Sequence, residues 1–405
     1  MPRRTPGSQR ALREANQRRL IRALRSAGSL TQAQIARVTG LSAATVSNIV
    51  RELRANGTVV VSPTSSGGRR AQAVSLARDI GLAVGVHITA TRLRAAVSDM
   101  GYEVLAEESI QYDAGQSPER GLRRAEWLVN TLLRQARVDH ARVKGIGVAV
   151  RGQVDSDGRL VTSTGLASWE GVDVASALTD RTGLPVEVVA DARAAVLAEL
   201  SWGAGQGHTD VAYLQLSDEV SAALVLGGEV YSGSGGLAGE FGHITVDEQG
   251  RICRCGNRGC LQTVVGGPYL VDLLPHHQGE PRPTLDRVVQ AALDGDLGCR
   301  RVVADAGRAV GGAAAVLCNL LNPRRLIVGG ELAAAGDLLL APLEEMLRRQ
   351  TLPRAAGMVD VVAAELSEAA AVRGALATVV RAKNPLDADS LDTDIGPLDP
   401  EAQLA

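Results

Sequence analysis

Aromatic side chains are almost absent: Phe, Tyr and Trp together make up 2% of the 405 residues. Ala, Val and Leu must therefore fill the core. Any nucleic-acid binding must rest on helices and arginines, because the platforms that stack on single strands need rings. Also missing are an apolar run long enough to span a bilayer and a signal-peptide core after the basic start, so no membrane partner is expected. Cysteine is scarce. Five cysteines, three of them closely spaced, fit a reducing compartment better than a disulfide scaffold, and the expected location is the cytoplasm.

Acidic residues are the most unevenly missing class. The first 78 residues hold 14 arginines against two acids, Glu14 and Glu52, although the whole chain carries a net charge of only −2. A basic module for a polyanion, attached to an acidic body, leaves this footprint. The length allows two or three domains and a large core.

The order of signals divides the chain. Residues 1–10 are expected to be a disordered basic arm that touches phosphates. Residues 11–78 read as a winged helix-turn-helix. A first helix carries Leu12, Leu20, Ile21 and Leu24 and ends near Gly28. Thr31 and Gln34 form a capping box for a second helix that stops at Gly40, and Ser42 caps a third helix with Val46, Ile49, Val50 and Leu53 on its apolar face. Small Ala36, turn Gly40 and apolar Val46 and Ile49 have the spacing that a close helix crossing with a sharp turn requires. The opposite face presents Ser42, Thr45, Ser47, Asn48 and Arg51 to a DNA major groove. A hairpin follows, T-V-V-V-S and A-Q-A-V-S-L around the loop P-T-S-S-G-G-R-R, and its tip places Arg69 and Arg70 on phosphate or in the minor groove.

Residues 79–383 alternate strands and helices. Leu82 to Ile88 pairs with Leu93 to Asp99; Ala125 to Arg137 is an amphipathic helix; Gly145 to Val150 and Pro185 to Val189 are strands, the second ending at Asp191. A second half begins at Val211, pairs with Ala222 to Leu226, and ends with a strand at Leu326 to Val328 before Gly329-Gly330. This order predicts an α/β body of two lobes with a cleft between them. Residues 384–405 read as an acidic disordered tail.

Within the second half lies the densest chemistry, Gly239 to Gln262, which sets Glu240 and His243 ahead of Cys253, Cys255 and Cys260. One imidazole and three thiols complete a tetrahedral set for structural Zn²⁺, and Gly256 and Gly259 permit the tight turns it needs. Cys299 and Cys318 stand alone in apolar helical sequence and read as core thiols.

Together the G-L-A-G-E-F-G-H run, the C-R-C-G-N-R-G-C-L segment, the V-V-A-D-A strand end and N-P-R-R-L-I-V-G-G-E-L resemble the ROK family of sugar kinases and sugar-responsive repressors. The winged helix in front is similar to that of its repressor branch. The resemblance implies the actin-like, sugar-kinase-like ATPase fold. It also implies that Asp191 matches the catalytic aspartate, Glu240 a sugar-hydroxyl acceptor and His243 a zinc ligand beside the sugar, while Cys253, Cys255 and Cys260 match the zinc thiolates. Trp169 and Gly171 fall in the W-x-G stretch near the sugar pocket; for Trp169, packing in the core is as much expected as contact with a ligand.

Departures from the family pattern point away from an enzyme. Where its kinases place D-x-G-G-T, the chain reads His87, Ile88, Thr89, Ala90, Thr91; where they place a second phosphate loop, G-T-G-x-G, it reads Ser217, Asp218, Glu219, Val220, Ser221. Two carboxylates repel phosphate where glycine amides would cradle it. Ala190 replaces an asparagine and Gln262 a glutamate; the glutamine can still read a sugar hydroxyl and the alanine cannot. The expected protein is therefore a regulator, a repressor more than an activator. Its partners are operator DNA, a sugar or sugar phosphate held by Asp191, Glu240, His243 and Gln262, and copies of itself in a dimer or tetramer. The competing expectations are a sugar kinase with an accessory DNA module, and a regulator controlled by a protein partner.

Overall fold

The computed structural model describes residues 13, 16–17, 19–21, 23–24, 29–55, 57–66, 69–76, 81–100, 102–112, 117–163, 165–274 and 283–383. The expected basic arm and acidic tail, Leu12, and the turn glycines Gly67 and Gly68 lie outside the described residues.

Amphipathic segments build the N-terminal unit. Leu20, Ile21 and Leu24 pack with Ile35, Val46, Ile49, Val50 and Leu53 into one core. The capping box at Thr31 is present: Gln34 N–H donates to Thr31 Oγ1 at 3.3 Å, and Thr31 N–H donates to Gln34 Oε1 at 2.8 Å. It opens the helix Gln32–Thr39, which Gly40 ends in a left-handed conformation at φ 68°. Ser42 caps the next helix, Ala43–Ala55, by accepting from Thr45 N–H at 3.1 Å. A short strand β1 (Ser29–Thr31), which the sequence did not suggest, joins the hairpin strands β2 (Val59–Ser66) and β3 (Arg69–Leu76) in the order β1-β3-β2. The hairpin differs from expectation in that Pro63 to Ser66 continue β2 instead of forming a loop. β2 is an edge strand, so Pro63 removes no ladder bond that a neighbour needs.

The body repeats one plan twice. In the first lobe, β4 (Leu82–Ile88), β5 (Arg92–Asp99), β6 (Val104–Gln111) and β7 (Val143–Val150) form a sheet with β10 (Val186–Ala190), ordered β10-β7-β4-β5-β6. A small ladder of β8 (Gln153–Val154) and β9 (Leu160–Thr162) precedes β10. The second lobe orders β11 (Val211–Leu216), β12 (Val220–Leu226), β13 (Glu229–Tyr231), β14 (Arg325–Gly329) and β15 (Asp360–Ala363) as β13-β12-β11-β14-β15. Each sheet has three parallel strands and an antiparallel pair at one edge. β4 and β7 are buried nearly throughout and read as near-continuous apolar runs, broken only by His87 and Lys144, as strands covered on both faces do. β6 alternates half-buried and exposed residues, the pattern of an edge strand.

Two helices join the lobes. Asp191–Trp202 leads out of β10, and Ala370–Lys383 returns from the second lobe to lie across β4 and β7 and against Asp191–Trp202. Glycines permit this approach: a Cβ on Gly374 would stand 1.6 Å from the Ala194 carbonyl oxygen, and one on Gly147 would stand 2.0 Å from that of Ala375. The buried carboxylate of Glu199 fixes the register, accepting from Ala204 N–H at 2.8 Å and Leu366 N–H at 2.9 Å.

Candidate DNA-reading helix, metal centre and inter-lobe junction

The exposed face of Ala43–Ala55 carries Asn48 and Arg51, joined by a hydrogen bond of 2.8 Å from Arg51 Nη2 to Asn48 Oδ1. The other expected DNA contacts differ in their freedom. The hydroxyls of Ser42 and Thr45 lie 2.8 Å apart at the helix start, and Ser47 is half-buried. Arg69 and Arg70 are the first two residues of β3, opposite Ser66 and Ser65. Sequence reasoning missed Arg13 and Asn16, which line a groove of about 480 Å³ with Thr45, Asn48, Arg51 and Glu52. Glu52 accepts from Arg13 Nε at 3.0 Å and Gln17 Nε2 at 2.9 Å, which holds the first helix beside the exposed face.

The loop after β13 folds His243, Cys253, Cys255 and Cys260 into one cluster whose donor atoms all lie within 4.8 Å of one another. Cys253 Sγ is 3.7 Å from His243 Nδ1, and Cys255 Sγ is 3.7 Å from Cys260 Sγ. An ion about 2.3 Å from sulfur and about 2.0 Å from nitrogen sets tetrahedral neighbours roughly 3.6–3.8 Å apart, so the residues fit a four-coordinate metal. Backbone bonds shape the loop: Cys253 N–H donates to Asn257 O at 2.7 Å and Gly259 N–H to Arg251 O at 2.8 Å. Gly259 is required there, because its φ is +68° and a Cβ would overlap the Asp247 carbonyl oxygen at 1.5 Å. His243 turns Nε2 toward Glu240 Oε2 at 3.9 Å, leaving Nδ1 for the sulfur side. Cys299 and Cys318 are buried in the second-lobe core.

Ends of buried strands converge at the lobe junction. Asp191 begins the helix after β10 and is 4% exposed; its Oδ1 accepts from Ala192 N–H at 2.8 Å. Arg151 directly follows β7 and donates Nε–H to Asp191 Oδ2 at 3.2 Å, while Nη1 and Nη2 each donate to Glu331 Oε1 at 3.2 Å. Glu331 follows Gly329-Gly330 at the end of β14, so one guanidinium ties the first lobe to the second. Glu240 accepts from Gln153 Nε2 at 2.5 Å, and Glu219 accepts from the Ser163 hydroxyl at 3.0 Å, adding two further ties between the lobes. Gln262, expected at the sugar, engages both ends of its carboxamide with the loop backbone: it accepts from Val220 N–H at 2.7 Å and donates to Asp218 O at 2.8 Å. Trp169, for which core packing and ligand contact are equally expected, is fully buried among first-lobe core residues.

Burial sets the protonation states. His87 is pushed down to about 3 by burial first and Arg151 second, so it is neutral, and its 4.0 Å approach to Asp191 is no ion pair at ordinary pH. Its Nε2 is buried and lacks a hydrogen-bond partner among the described residues. Asp191 is pushed up to about 6 by burial, with Glu219 and Glu331 adding to the rise and Arg151 opposing it. Burial alone would raise Glu331, but Arg151 and the Ser217 hydroxyl hold it below the usual carboxylate value. For Asp191 the sign is clear. A carboxyl raised in the folded state leaves stability intact below its unfolded value of 3.8 and removes it as pH rises through about 6. Asp191→Asn is therefore expected to stabilise the chain by about 2–3 kcal/mol at pH 8, with the gain shrinking toward pH 4. Thermal melts of both proteins across that range check it.

A three-helix reader with a β-wing, joined to two lobes of repeated α/β plan, defines the class: a winged helix-turn-helix protein with a sugar-kinase-like body. The chain belongs to the ROK family, whose model matches residues 83–382, and a winged helix-turn-helix DNA-binding model matches residues 13–60. It is 26% identical over 388 residues to the xylose repressor of Caldicellulosiruptor bescii, covering 92% of this chain and 97% of that one. It is 28% identical over 397 residues to the DNA-binding transcriptional dual regulator NagC of Escherichia coli K12, covering 93% and 97%. Among solved structures, a ROK family transcriptional regulator described as a homolog of the E. coli MLC protein aligns with a TM-score of 0.72 at 25% identity, covering 91% of this chain and 96% of that one. A ROK family glucokinase from Streptomyces griseus, in complex with glucose and AMPPNP, aligns with a TM-score of 0.63 at 28% identity, covering 73% and 98%. The regulator alignment spans the reader and the body, as the repressor branch would. Among the described residues no helix is long and apolar enough to cross a membrane.

Proposed function

We propose that this chain is a sugar-responsive transcriptional repressor. Its helix Ala43–Ala55 reads operator DNA, and a sugar held between the lobes by Asp191 and Glu240 controls release. The observation that carries the reading is the exposed Asn48–Arg51 pair on a capped helix beside a segment almost without acids. Two copies would place two such helices on a pseudo-palindromic site, and a ligand that prefers one lobe arrangement would change their spacing. Coupling of about 1–3 kcal/mol between sugar and DNA suffices. The ion at His243, Cys253, Cys255 and Cys260 is Zn²⁺, whose part is to rigidify the loop that carries Glu240. The wing arginines Arg69 and Arg70 take phosphate or minor groove. Asn48→Ala and Arg51→Ala are each expected to weaken operator binding by about 1–3 kcal/mol, with specificity relaxed at the contacted base pair. Footprinting followed by titration against single-base operator variants measures both effects; uniform weakening across variants would reduce the pair to phosphate contacts.

Kinase activity is the second reading, favoured by Asp191 at the junction and by likeness to the glucokinase. It is expected to be absent. His87 stands where the family kinases have an aspartate, and Asp218 and Glu219 stand where they have phosphate-cradling glycines. A coupled assay should show no sugar-dependent ADP formation. Turnover that disappears in Asp191→Asn would reverse this conclusion.

A further inference from the structure

We propose that Arg151, locked between Asp191 and Glu331, makes the inter-lobe site select an uncharged sugar and reject the phosphate ester of that sugar. The inference rests on the reading of the junction as a sugar site and narrows the class of ligand it takes. Arginine binds phosphate through two parallel N–H groups on one edge of its planar fork. Here the fork is already engaged. Nε faces Asp191 Oδ2 at 3.2 Å, and the Nη1 and Nη2 end faces Glu331 Oε1 at 3.2 Å from both nitrogens. The Arg151 side chain is 12% exposed, so its partners are not readily exchanged for water.

Counting charge at this end of the junction decides the sign. One guanidinium stands among Asp191, Glu331, Asp218 and Glu219, and Glu219 is held in place by the Ser163 hydroxyl. His87 is neutral and adds no cation. Arg94, which also faces His87, is held by Glu368 at 2.7 Å. The guanidinium beside Glu240, that of Arg193, donates to the carbonyl oxygens of Gly236 and Val154. A phosphate monoester brings about −1.5 to −2 charge at pH 7 and would add to an excess of carboxylates. Sugar hydroxyls face no such penalty. They can donate to Asp191 and Glu240, and to the buried Oε2 of Glu331, which has no hydrogen-bond partner among the described residues.

The sign reverses on removal of one carboxylate. Glu331→Gln keeps the shape, removes one negative charge and replaces the ion pair with a weaker neutral hydrogen bond, which an anion can displace from the Nη1–Nη2 end of Arg151. The test is calorimetric titration of the full chain with glucose, N-acetylglucosamine and mannose, each beside its 6-phosphate, and with xylose. For a sugar that binds, the wild-type chain is expected to hold it at least tenfold more tightly than its ester. Glu331→Gln should tighten ester binding at least fivefold, and the double variant with Arg151→Met should lose that gain. Inorganic phosphate should raise the melting temperature of Glu331→Gln and leave the wild type unchanged, which also shows that the variant folds. An ester that binds the wild type more tightly than its parent sugar overturns the inference, as does Glu331→Gln with no gain for ester or inorganic phosphate. If no sugar or ester binds while inorganic phosphate still distinguishes the variants, the sugar-site reading fails and the exclusion of phosphate stands.

Discussion

Cys260→Ser is expected to release the metal and remove the response to effector, while the chain keeps its ability to bind operator. Cys260 is fully buried, and the loop it anchors has little regular structure beyond two isolated β-bridges, Thr245 to Cys260 and Ile252 to Arg258. A structural zinc site contributes ~10–16 kcal/mol to folding in isolated finger peptides. This loop is tied at both ends to a larger body, yet even a third of that amount exceeds what a single buried thiol contributes by packing. Glu240 lies three residues before His243, the proposed ligand, so slack in the loop would reach the proposed sugar site directly. The DNA reader has its own core of Leu20, Ile35, Val46, Leu53 and Val74 and should remain folded. Metal analysis should fall from one zinc per chain to almost none, and operator affinity should become insensitive to sugar. Cys318→Ser, a buried thiol outside the cluster, should keep its metal and its response. Full zinc content and normal response in Cys260→Ser would contradict the role assigned to the loop.

Gly374→Ala should destabilise the body by about 3 kcal/mol, at the upper end of overpacking effects. Helix propensity alone would favour alanine by ~1 kcal/mol. The added methyl, however, would stand 1.6 Å from the Ala194 carbonyl oxygen, a backbone atom that cannot swing aside. The clash therefore outweighs the propensity gain. Gly312 in the helix Leu297–Leu321 provides the contrast, because a Cβ there meets the end of the flexible Gln350 side chain at 3.2 Å. Gly312→Ala should be neutral or stabilising. Thermal melts of the two variants separate close helix crossing from propensity; equal melting temperatures would remove the Gly374 crossing as a support of the fold.

Periodicity and capping made the reader legible. Thr31 with Gln34, and Ser42 with Thr45, each act over three residues, so their meaning survives without knowledge of the fold. Most strands were legible too, since β4 and β7 are apolar runs interrupted only by His87 and Lys144. β1 was not: three residues carry no period, and only pairing with β3 makes them a strand. The cysteine cluster was legible because its ligands lie close together in the chain. Arg151 and Glu331 stand 180 positions apart, and nothing local marks them as partners. A usable signal existed, a charged residue immediately after a buried strand and another immediately after Gly329-Gly330, the strand ends where α/β sheets place their ligands. Gln262 was read by its chemistry alone, and the fold turns both ends of that chemistry toward the loop backbone.

As a sugar-responsive repressor, one chain binds DNA and lets go in response to a sugar. Fluorescence anisotropy of a labelled operator, selected by footprinting and titrated with the full chain at fixed salt, measures it with and without each sugar of the panel. At least one sugar should weaken binding by about 5–150-fold, the range of ordinary allosteric coupling. The same sugar should leave non-specific DNA binding unchanged. Operator affinity that no sugar alters would contradict the account.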